Sequence, residues 1–569
     1  MANIIQPRNP VYLVSNKKTM PLDGEPMSGA QIKQAIEQVI AVAPVADDDA
    51  GAQDEMEIMS VITPPDGDEL ALAEEGQPDS TIVVAKLSET AADNLRDRHA
   101  NLLVELDEDI EMLDTGGLLQ MHGLTTMVPL DADSLRIRIN VVDADGKAIP
   151  KARVSLSGEM WFDQALTGNN GVAELNMLGE TLESLSSLTI KPAAGFWSRT
   201  IARPDLVSGT GAAALNVVTL LSLAEGTSGL PGFPEEQGTP WGVVDLNLTD
   251  PAPNPPLVRL AIIDSGIDND HPDLEHATRG KAFAIGDDPD DDTFNLDSSG
   301  HGTHVAGTAA GRAANAFGVQ GVAPDAELHG LRVFPQAKIS KLIKALRYCR
   351  ENEIDVVNMS LGMATPSQLL NDEIDRCFES GVVMIAAAGN SGGKVNYPAA
   401  FDNVIAVAAL GRADRFPEDS TNSAAITNDK DADGVYFIAR FSCRGPEIDV
   451  AAPGVGIIST YPSDNPVPFA EISGTSMASP HVAGFTARLL QHNAELRDMA
   501  RNDARASAIR EALFEACRPM GDAELWGRGL PDWSKLDLGS EPSEPGGNGN
   551  VDRLVEKLTD ALDLAKALT

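Results

Sequence analysis

Three segments of the chain end an apolar run, or begin a helical one, with a residue type that catalysis uses. Asp264 closes LVRLAIID, His301 lies in SSGHGTHVAG, and Ser476 lies in SGTSMASP. A serine hydroxyl is a poor nucleophile at neutral pH and needs an adjacent base. Histidine, with a pKa of about 6.5, accepts that proton, and a carboxylate behind the imidazole fixes its tautomer. Because Asp, His, Ser is one of the known chain orders for such a triad, the sequence predicts nucleophilic acyl transfer.

A fourth polar residue, Asn390, follows the apolar run VVMIAAAG. An amide at the end of a strand can donate a hydrogen bond to the negative oxygen that develops during acyl transfer. The backbone N–H of Ser476 would be the second donor. We therefore expect Asn390 beside the triad.

The pair His301 and His304 could instead suggest zinc. His-x-x-His without an acidic or cysteine companion is a weak zinc pattern, and the triad gives His301 another role. We therefore expect His304, and likewise His481, to be buried histidines that make structural hydrogen bonds.

The elements that must position these residues lie between residues 257 and 540. Continuous apolar runs such as VVNMSLG and VIAVAAL alternate there with helical patterns. This alternation predicts an α/β fold with a parallel sheet that is covered on both faces. Polar residues that follow such strands gather at the carboxyl edge of the sheet.

The segments DSGIDNDHPDL, HGTHVAGT and GTSMASPHVAG resemble, in this order, the signatures of the subtilisin-like serine proteases. The resemblance covers about 240 to 530. It implies a parallel, seven-stranded-type sheet with helices on both faces and a serine endopeptidase that works through an acyl-enzyme. It also implies Asp264, His301 and Ser476 as the triad and Asn390 in the oxyanion hole.

The same resemblance implies where a protein or peptide substrate and a structural ion would bind. Substrate should add as an extra β-strand, since backbone pairing supplies affinity and side-chain pockets supply selectivity. The residues that the family uses for this correspond to Ser360, Leu361 and Gly362 at one edge, Ala387, Ala388 and Gly389 along the pocket wall, and Asn396 at the far wall. The family's calcium site corresponds to Gln237, Asp273 and Asn315, whose oxygens suit that cation.

Composition divides the rest of the chain into further parts. Residues 1–79 hold a helix from Ser28 to Val42 and then an acidic stretch, 47–79, which has 12 acids and no Lys or Arg and is predicted to be flexible. The other predicted parts are a small α/β unit at 80–130, an all-β module at 134–203, a linker at 204–238, the catalytic domain at 239–540, a linker at 541–550 and an amphipathic helix at 551–569. The segment 134–203 resembles the small β-sandwich of carboxypeptidase-regulatory-like modules.

Three hypotheses compete for the residues that precede the catalytic domain. Residues 80–113 resemble a family prodomain that occupies the cleft until it is cut, which would make the chain a zymogen inhibited by its own N-terminal region. The region could instead bind substrates or partners permanently, or act as a spacer. Residues 237–243 resemble the start of the mature family domain. The sequence leaves the maturation site open, and a new N-terminus between about 204 and 240 would show that the preceding region is removed. An alternative to an active protease is a binding or regulatory protein whose cleft is permanently filled by the N-terminal region.

Composition excludes several partner classes. The 569 residues include 43 Lys and Arg against 85 Asp and Glu, a formal net charge of −42. We expect neither nucleic acid nor an anionic membrane as a partner, because both need a basic surface. Four cysteines without a CxxC pair predict buried free thiols. The N-terminus lacks the pattern of a Sec signal, and no segment reaches the roughly 18 apolar residues of a membrane span. The sequence therefore predicts a cytoplasmic protein or one exported by another route.

Overall fold

The computed structural model of the chain describes nine stretches of residues. They are residues 9–18, 26–42, 56–63, 81–113, 134–225, 230–248, 255–283, 293–312 and 316–536. Three folded parts follow one another: an N-terminal unit (residues 9–113), a β-sandwich (134–225) and a catalytic domain (230–536). The predicted linker at 541–550 and the helix at 551–569 lie outside the described residues.

The N-terminal unit is an antiparallel four-stranded sheet that carries two helices. Its elements are β1 (Val11–Asn16), α1 (Gly29–Val42), β2 (Glu57–Ile62), β3 (Ile82–Lys86), α2 (Glu89–Arg98), β4 (Leu102–Leu106) and the short β5 (Glu111–Met112). The strand order is β2-β3-β1-β4.

Local sequence explains the start of both helices. The backbone N–H of Ser28 donates to Gln31 Oε1 at 2.7 Å, and the N–H of Gln31 donates to Ser28 Oγ at 3.3 Å, which is a capping box. Ser88 Oγ caps α2 by accepting from the N–H of Ala91 at 3.2 Å. The apolar face of α1, formed by Ile32, Ala35, Ile36 and Val39, is buried against the sheet.

Two boundaries of the predicted upstream parts are wrong. Strand β2 lies inside the stretch 47–79 that was expected to be flexible, where four of the six residues of EIMSVI are apolar despite the surrounding acids. It pairs with β3, while β1 pairs with both β3 and β4. The α/β unit therefore includes the strands and the helix that precede residue 80, because a sheet of 81–113 alone would leave both sides of β3 unpaired.

The β-sandwich packs two sheets face to face around one apolar core. Its strands are β6 (Ser134–Val142), β7 (Arg153–Ser157), β8 (Phe162–Leu166), β9 (Val172–Leu178), β10 (Ser187–Lys191), β11 (Arg199–Ala202) and β12 (Leu215–Thr219). The sheet orders are β11-β10-β7-β8 and β12-β6-β9. Because β12 pairs in parallel with β6, the first part of the predicted linker 204–238 belongs to the sandwich.

The catalytic domain contains thirteen strands in the described residues. They are β13 (Arg259–Asp264), β14 (Arg279–Ala282), β15 (Glu327–Arg332), β16 (Val356–Met359), β17 (Leu361–Gly362), β18 (Val383–Ala387), β19 (Val404–Arg412), β20 (Tyr436–Ile438), β21 (Val450–Pro453), β22 (Ile457–Thr460), β23 (Phe469–Ile472), β24 (Cys517–Arg518) and β25 (Leu530–Pro531). Its helices are α3 (Trp241–Val244), α4 (His301–Ala310), α5 (Ile339–Glu351), α6 (Gln368–Glu379), α7 (Thr475–His492), α8 (Ala494–Arg497), α9 (Asp503–Glu515) and α10 (Ala523–Trp526).

The predicted parallel sheet is confirmed. Its order is β14-β15-β13-β16-β18-β19-β20, with β21 also paired to β19, and only β20 runs antiparallel. All residues from Leu260 to Asp264 in β13 are buried, so both faces of the sheet are covered. The four cysteines are free and buried, as expected. Within the described ranges no helix is long and apolar enough to cross a membrane.

Candidate active site

Asp264 and His301 meet at the carboxyl edge of the sheet. Asp264 is the last residue of β13, and His301 is the first residue of α4. His301 Nδ1 lies 2.7 Å from Asp264 Oδ1, and both side chains are buried. A carboxylate at Nδ1 holds the proton on that nitrogen, which makes Nε2 the atom that can accept one.

Asp297 fixes the start of α4, although the sequence analysis did not single it out. Its carboxylate accepts from the N–H of Gly300 at 2.9 Å and the N–H of Thr303 at 2.9 Å. It also accepts from the hydroxyls of Ser265 at 2.9 Å and Thr303 at 2.6 Å. An acid just before a helix is a recognisable N-terminal signal, so DSSGH could have revealed it.

His304 and His481 make structural hydrogen bonds, as predicted. His304 Nε2 lies 3.0 Å from the carbonyl of Ile457 and 3.1 Å from that of Ala470, and burial lowers its pKa to about 3. His481 Nδ1 lies 2.8 Å from the carbonyl of Met477, and burial lowers its pKa to about 4. Both imidazoles are therefore neutral near pH 7.

Ser476 is the second residue of the buried helix α7 and is fully buried. Helices α4 and α7 pack closely together, and glycine makes this approach feasible. A Cβ on Gly484 of α7 would lie 2.7 Å from the carbonyl oxygen of Ala309 in α4. The backbone itself therefore sets the spacing between the helix that carries His301 and the one that carries Ser476.

Asn390 follows β18 with its amide held in one orientation. Its Oδ1 accepts from the N–H of Thr475 at 2.9 Å and from the Thr475 hydroxyl at 2.8 Å. Its Nδ2 donates to the carbonyl oxygen of Leu113 at 2.6 Å. The hydroxyl of Ser476 donates to the same carbonyl oxygen. The predicted nucleophile and oxyanion donor thus converge on one carbonyl of the protein's own chain.

The segment that ends at Leu113 lies in the cleft as an added strand. In β5, Met112 pairs with Leu361 and Glu111 pairs with Gly362 of β17, in antiparallel register. On the other side, the N–H of Ile110 donates to the carbonyl of Ala337 at 2.9 Å. The cleft therefore holds a peptide by main-chain pairing, which is how the sequence analysis expected substrate to bind.

The residues predicted to bind substrate lie around the Leu113 side chain or directly behind it. A Cβ on Gly362 would lie 2.9 Å from Leu113 Cδ1 and 3.2 Å from Asn396 Cβ, so Leu113 sits beside both residues. The N–H of Asn396 donates to the carbonyl of Ala388 at 2.9 Å. The remaining predicted residues are all buried, and they are Ser360, Leu361, Ala387 and Gly389.

The N-terminal unit also supplies carboxylates to two helices of the catalytic domain. Glu105 accepts from the hydroxyl of Ser367 at 2.8 Å and from the N–H of Gln368 at 2.9 Å, at the start of α6. Asp107 accepts from the N–H of Ser340 at 2.9 Å and from its hydroxyl at 2.7 Å, at the start of α5. Orphan N–H groups at a helix start are satisfied in this way, and the helix dipole favours the negative charge.

The occupied cleft also bears on where the chain could be cut. A cut between about 204 and 240 would need that stretch near Ser476. The residue whose carbonyl contacts the Ser476 hydroxyl is Leu113, more than ninety residues earlier in the sequence. The short β5 carries no strand signal of its own because it forms only against β17.

Two of the three predicted calcium ligands border one loop, and Asn315 lies outside the described residues. Asp273 is buried, and its Oδ2 accepts from the N–H of Val319 at 2.9 Å. Gly238, next to Gln237, donates its N–H to the carbonyl of Gly318 at 2.9 Å. The side-chain Nε2 of Gln237 is buried without a protein acceptor, so its amide is free to turn an oxygen toward a cation. This donor set fits calcium.

The negative charge at that loop would come mainly from the carboxylate of Asp273. The described residues bring no group of three or more His, Cys, Asp or Glu together. An ion there would therefore depend on amide and main-chain oxygens beside the Asp273 carboxylate, a set typical of calcium.

The comparisons with known proteins agree with this arrangement. The model of the Subtilase family matches residues 257–552. The chain belongs to the Subtilase family. It is 37% identical over 281 residues to Subtilisin DY of Bacillus licheniformis, which covers 48% of this chain and 88% of that protein. It is 35% identical over 302 residues to Subtilisin Savinase of Lederbergia lenta, which covers 52% of this chain and 97% of that protein.

A third relative, Subtilisin E of Bacillus subtilis (strain 168), is 37% identical over 281 residues, which are 48% of this chain and 64% of that protein. This subtilase is accordingly a subtilisin-like serine protease, a hydrolase that acts on protein or peptide substrates. The family model begins after the N-terminal unit and the β-sandwich.

Proposed function

We propose that this subtilase hydrolyses internal peptide bonds through an acyl-enzyme on Ser476. The Ser476 hydroxyl attacks the substrate carbonyl while His301 takes its proton and returns it to the leaving amine. Asp264 orients the imidazole and stabilises its cation, and Asn390 with the N–H of Ser476 stabilises the oxyanion. The observation that carries this proposal is the convergence of Ser476 and Asn390 on the carbonyl of Leu113.

The test of this proposal is a covalent active-site probe. An organophosphonate should label the matured wild-type protein, and labelling should disappear in Ser476→Ala. Asn390→Ala should still be labelled but should turn over peptide about 10²–10³-fold more slowly, the cost known for one oxyanion donor in a subtilisin. Absence of labelling under all activating conditions would contradict the enzymatic proposal.

We further propose that the N-terminal unit is the inhibitory prodomain of a zymogen. It places a strand in the cleft, and its Glu105 and Asp107 sit on two helix starts of the catalytic domain. Adding this unit in trans should therefore inhibit the matured enzyme. The opposing hypothesis, a regulatory protein whose cleft stays filled, is favoured by the same occupied cleft, and it predicts no labelling by the probe.

We also propose calcium at the loop bordered by Gln237 and Asp273. Together with Asn315, these residues would hold the ion, whose contribution is structural. Because only the folded chain would bind the ion, the ion would stabilise the folded state by mass action.

A further inference from the structure

We infer that this protease cuts its own Leu113–Asp114 bond and keeps the β-sandwich, so that the mature enzyme begins at Asp114. The inference rests on the proposed endopeptidase function. It assigns a processing site in this chain, and it makes the sandwich a permanent part of the catalytic machinery rather than a second piece of the prodomain.

The cleft contents define the bond. The carbonyl of Leu113 receives hydrogen bonds from Ser476 and Asn390, and residues 110–112 pair with the catalytic domain on both sides. Leu113 therefore occupies the position of the residue whose carbonyl is attacked. Its side chain is 6% exposed, so the pocket beside Gly362 is filled.

The reaction at this bond is ordinary acyl transfer. Ser476 Oγ bonds to the carbonyl carbon of Leu113 and gives its proton to His301. The C–N bond to Asp114 breaks, and the new amino group takes that proton. Water then hydrolyses the Leu113 ester through the same base and releases a carboxylate at Leu113. No further reactant is needed.

This cut lies on the N-terminal side of the sandwich, whose first strand begins at Ser134. Cleavage therefore separates residues 1–113 from the rest and leaves the sandwich covalently joined to the catalytic domain. Whether the sandwich also stays docked depends on its contacts with the catalytic domain.

Main-chain hydrogen bonds join the sandwich to the catalytic domain. The N–H of Gly195 donates to the carbonyl of Phe469 at 2.7 Å, and the N–H of Thr200 donates to the carbonyl of Asp419 at 2.6 Å. Arg199 Nε lies 2.8 Å from Asp419 Oδ2 in a half-exposed ion pair. Bonds between backbones do not depend on flexible side chains, so they favour one fixed seating.

Side chains between these bonds are buried. Trp197 is 1% exposed and Ser198 is 2% exposed. The Ser198 hydroxyl lies 2.7 Å from that of Thr421. Trp197 and Ser198 line one small cavity with Pro417 and Asp419 of the catalytic domain, so removing the sandwich would open this cavity and expose the hydroxyl pair.

The sandwich supplies groups that stabilise the charged form of Glu471, a buried carboxyl of the catalytic domain. Burial raises the pKa of Glu471, while Lys191 and Ser198 of the sandwich and Asn422 of the catalytic domain act in the opposite direction. The Asn422 amide donates to Glu471 Oε1 at 2.5 Å. Two of the three groups that stabilise this carboxylate would leave with the sandwich.

The strand that the sandwich contacts precedes the nucleophile in the chain by only a few residues. Phe469 and Glu471 belong to β23, which is followed by Ser473 and then by the start of α7 with Ser476. The Ser473 hydroxyl donates to Asn422 Oδ1 at 2.6 Å, so the Glu471 network reaches the turn before α7. The sandwich therefore supports the hairpin β22–β23, from which the chain enters the nucleophile helix.

The first experiment determines the N-terminus of the full chain after self-activation, by Edman sequencing and intact mass under native conditions. Asp114 as the N-terminus, with sandwich and catalytic domain in one chain, is the expected result. A terminus between 204 and 240 would overturn the inference while leaving the hydrolytic function intact. An uncut chain that hydrolyses peptide would overturn it too, whereas an uncut chain that fails to label with the probe would count against the proposed function.

Two variants separate self-cleavage from cleavage by another protease. Ser476→Ala should stay uncut, and processing at the same bond in that variant would contradict self-cleavage. Leu113→Asp should slow or shift the cut, because the pocket beside Gly362 holds an apolar side chain. Leu106→Asp is the matched control, since this leucine of the same unit is 44% exposed and should leave the cut unchanged.

An added charge tests whether the sandwich stays docked on the catalytic domain of the mature enzyme. Ser198→Asp places a second carboxylate beside Glu471 and should lower the melting temperature by several degrees and reduce kcat more than it raises KM. Adding Glu471→Gln should restore part of both losses. Leu166→Asp, at a sandwich residue that is 62% exposed, should change neither. If Ser198→Asp leaves both values unchanged, the sandwich is not seated as we infer.

Discussion

Removing the Asp107 carboxylate should speed release of the cut prodomain. This side chain is 6% exposed and accepts two hydrogen bonds from Ser340, at 2.9 and 2.7 Å. In Asp107→Ala the N–H at the start of α5 stays buried without a partner, which costs about 1–3 kcal/mol. A loss of about 2 kcal/mol corresponds to roughly 30-fold faster dissociation, since about 1.36 kcal/mol is tenfold.

Two variants provide controls. Asp109 is only two residues away, and its carboxylate lies 2.7 Å from Lys338 Nζ, but its side chain is 80% exposed. An exposed pair of this kind contributes at most about 1 kcal/mol, so Asp109→Ala should accelerate release by less than about fivefold. Asp107→Asn keeps one oxygen acceptor for Ser340 and should release its prodomain more slowly than Asp107→Ala.

The assay follows hydrolysis of a fluorogenic peptide after the self-cleaved complex is diluted. The first-order constant for the appearance of activity reports release, and the final rate checks that each mature enzyme is equally active. If Asp107→Ala releases its prodomain no faster than Asp109→Ala, the helix-capping argument is wrong.

The same carboxyl gives release a pH dependence. Burial raises the pKa of Asp107 in the docked state, and this outweighs the hydrogen bonds from Ser340 and the nearby lysine charges. Docking therefore takes up a proton. This contribution is fully present below the pKa of the free carboxyl, about 3.9, and is lost as pH rises through the raised value. Wild-type release should thus slow on acidification into that window, and Asp107→Asn should lack this slowing.

Three further predictions concern the ion, the pocket and the helix that carries His301. A calcium chelator should lower the melting temperature of the wild type but not of Asp273→Asn, and an unchanged wild-type curve would exclude the site. In a matched peptide pair, leucine at the cleaved bond should give kcat/KM at least about tenfold higher than lysine, because burying the ammonium group in the pocket that Leu113 fills is costly; equal values would contradict this pocket assignment. Asp297→Ala should lower kcat at least about tenfold with little change in KM, since α4 loses its cap and His301 its orientation; a change in KM alone would assign Asp297 to binding instead.

The sequence was most informative where a motif and an element coincide. Asp264 ends an apolar strand and His301 begins a helix, so their meeting at 2.7 Å follows from a parallel sheet and two short signatures. Asn390 could be predicted for the same reason. In these cases the residue type, the local pattern and the fold all indicate the same position.

The sequence was least informative where an element depends on a distant partner. Strand β5 has two residues and exists only against β17, and β12 looks like a linker until β6 pairs with it. Strand β2 was hidden because the acids around it outweighed its own alternation. Long-range pairing of this kind leaves little local signal, since β-propensity depends strongly on context.

Gly484 places backbone against backbone where the two reactive helices cross. Since no side chain lies between the two backbones at this crossing, substitutions there cannot adjust the distance between the helices in small steps. Selection for a new cleavage preference must therefore act on the loops and pockets around the crossing. We expect natural and engineered diversity in this protein to collect there, and at the seat of the β-sandwich, while the crossing stays constant.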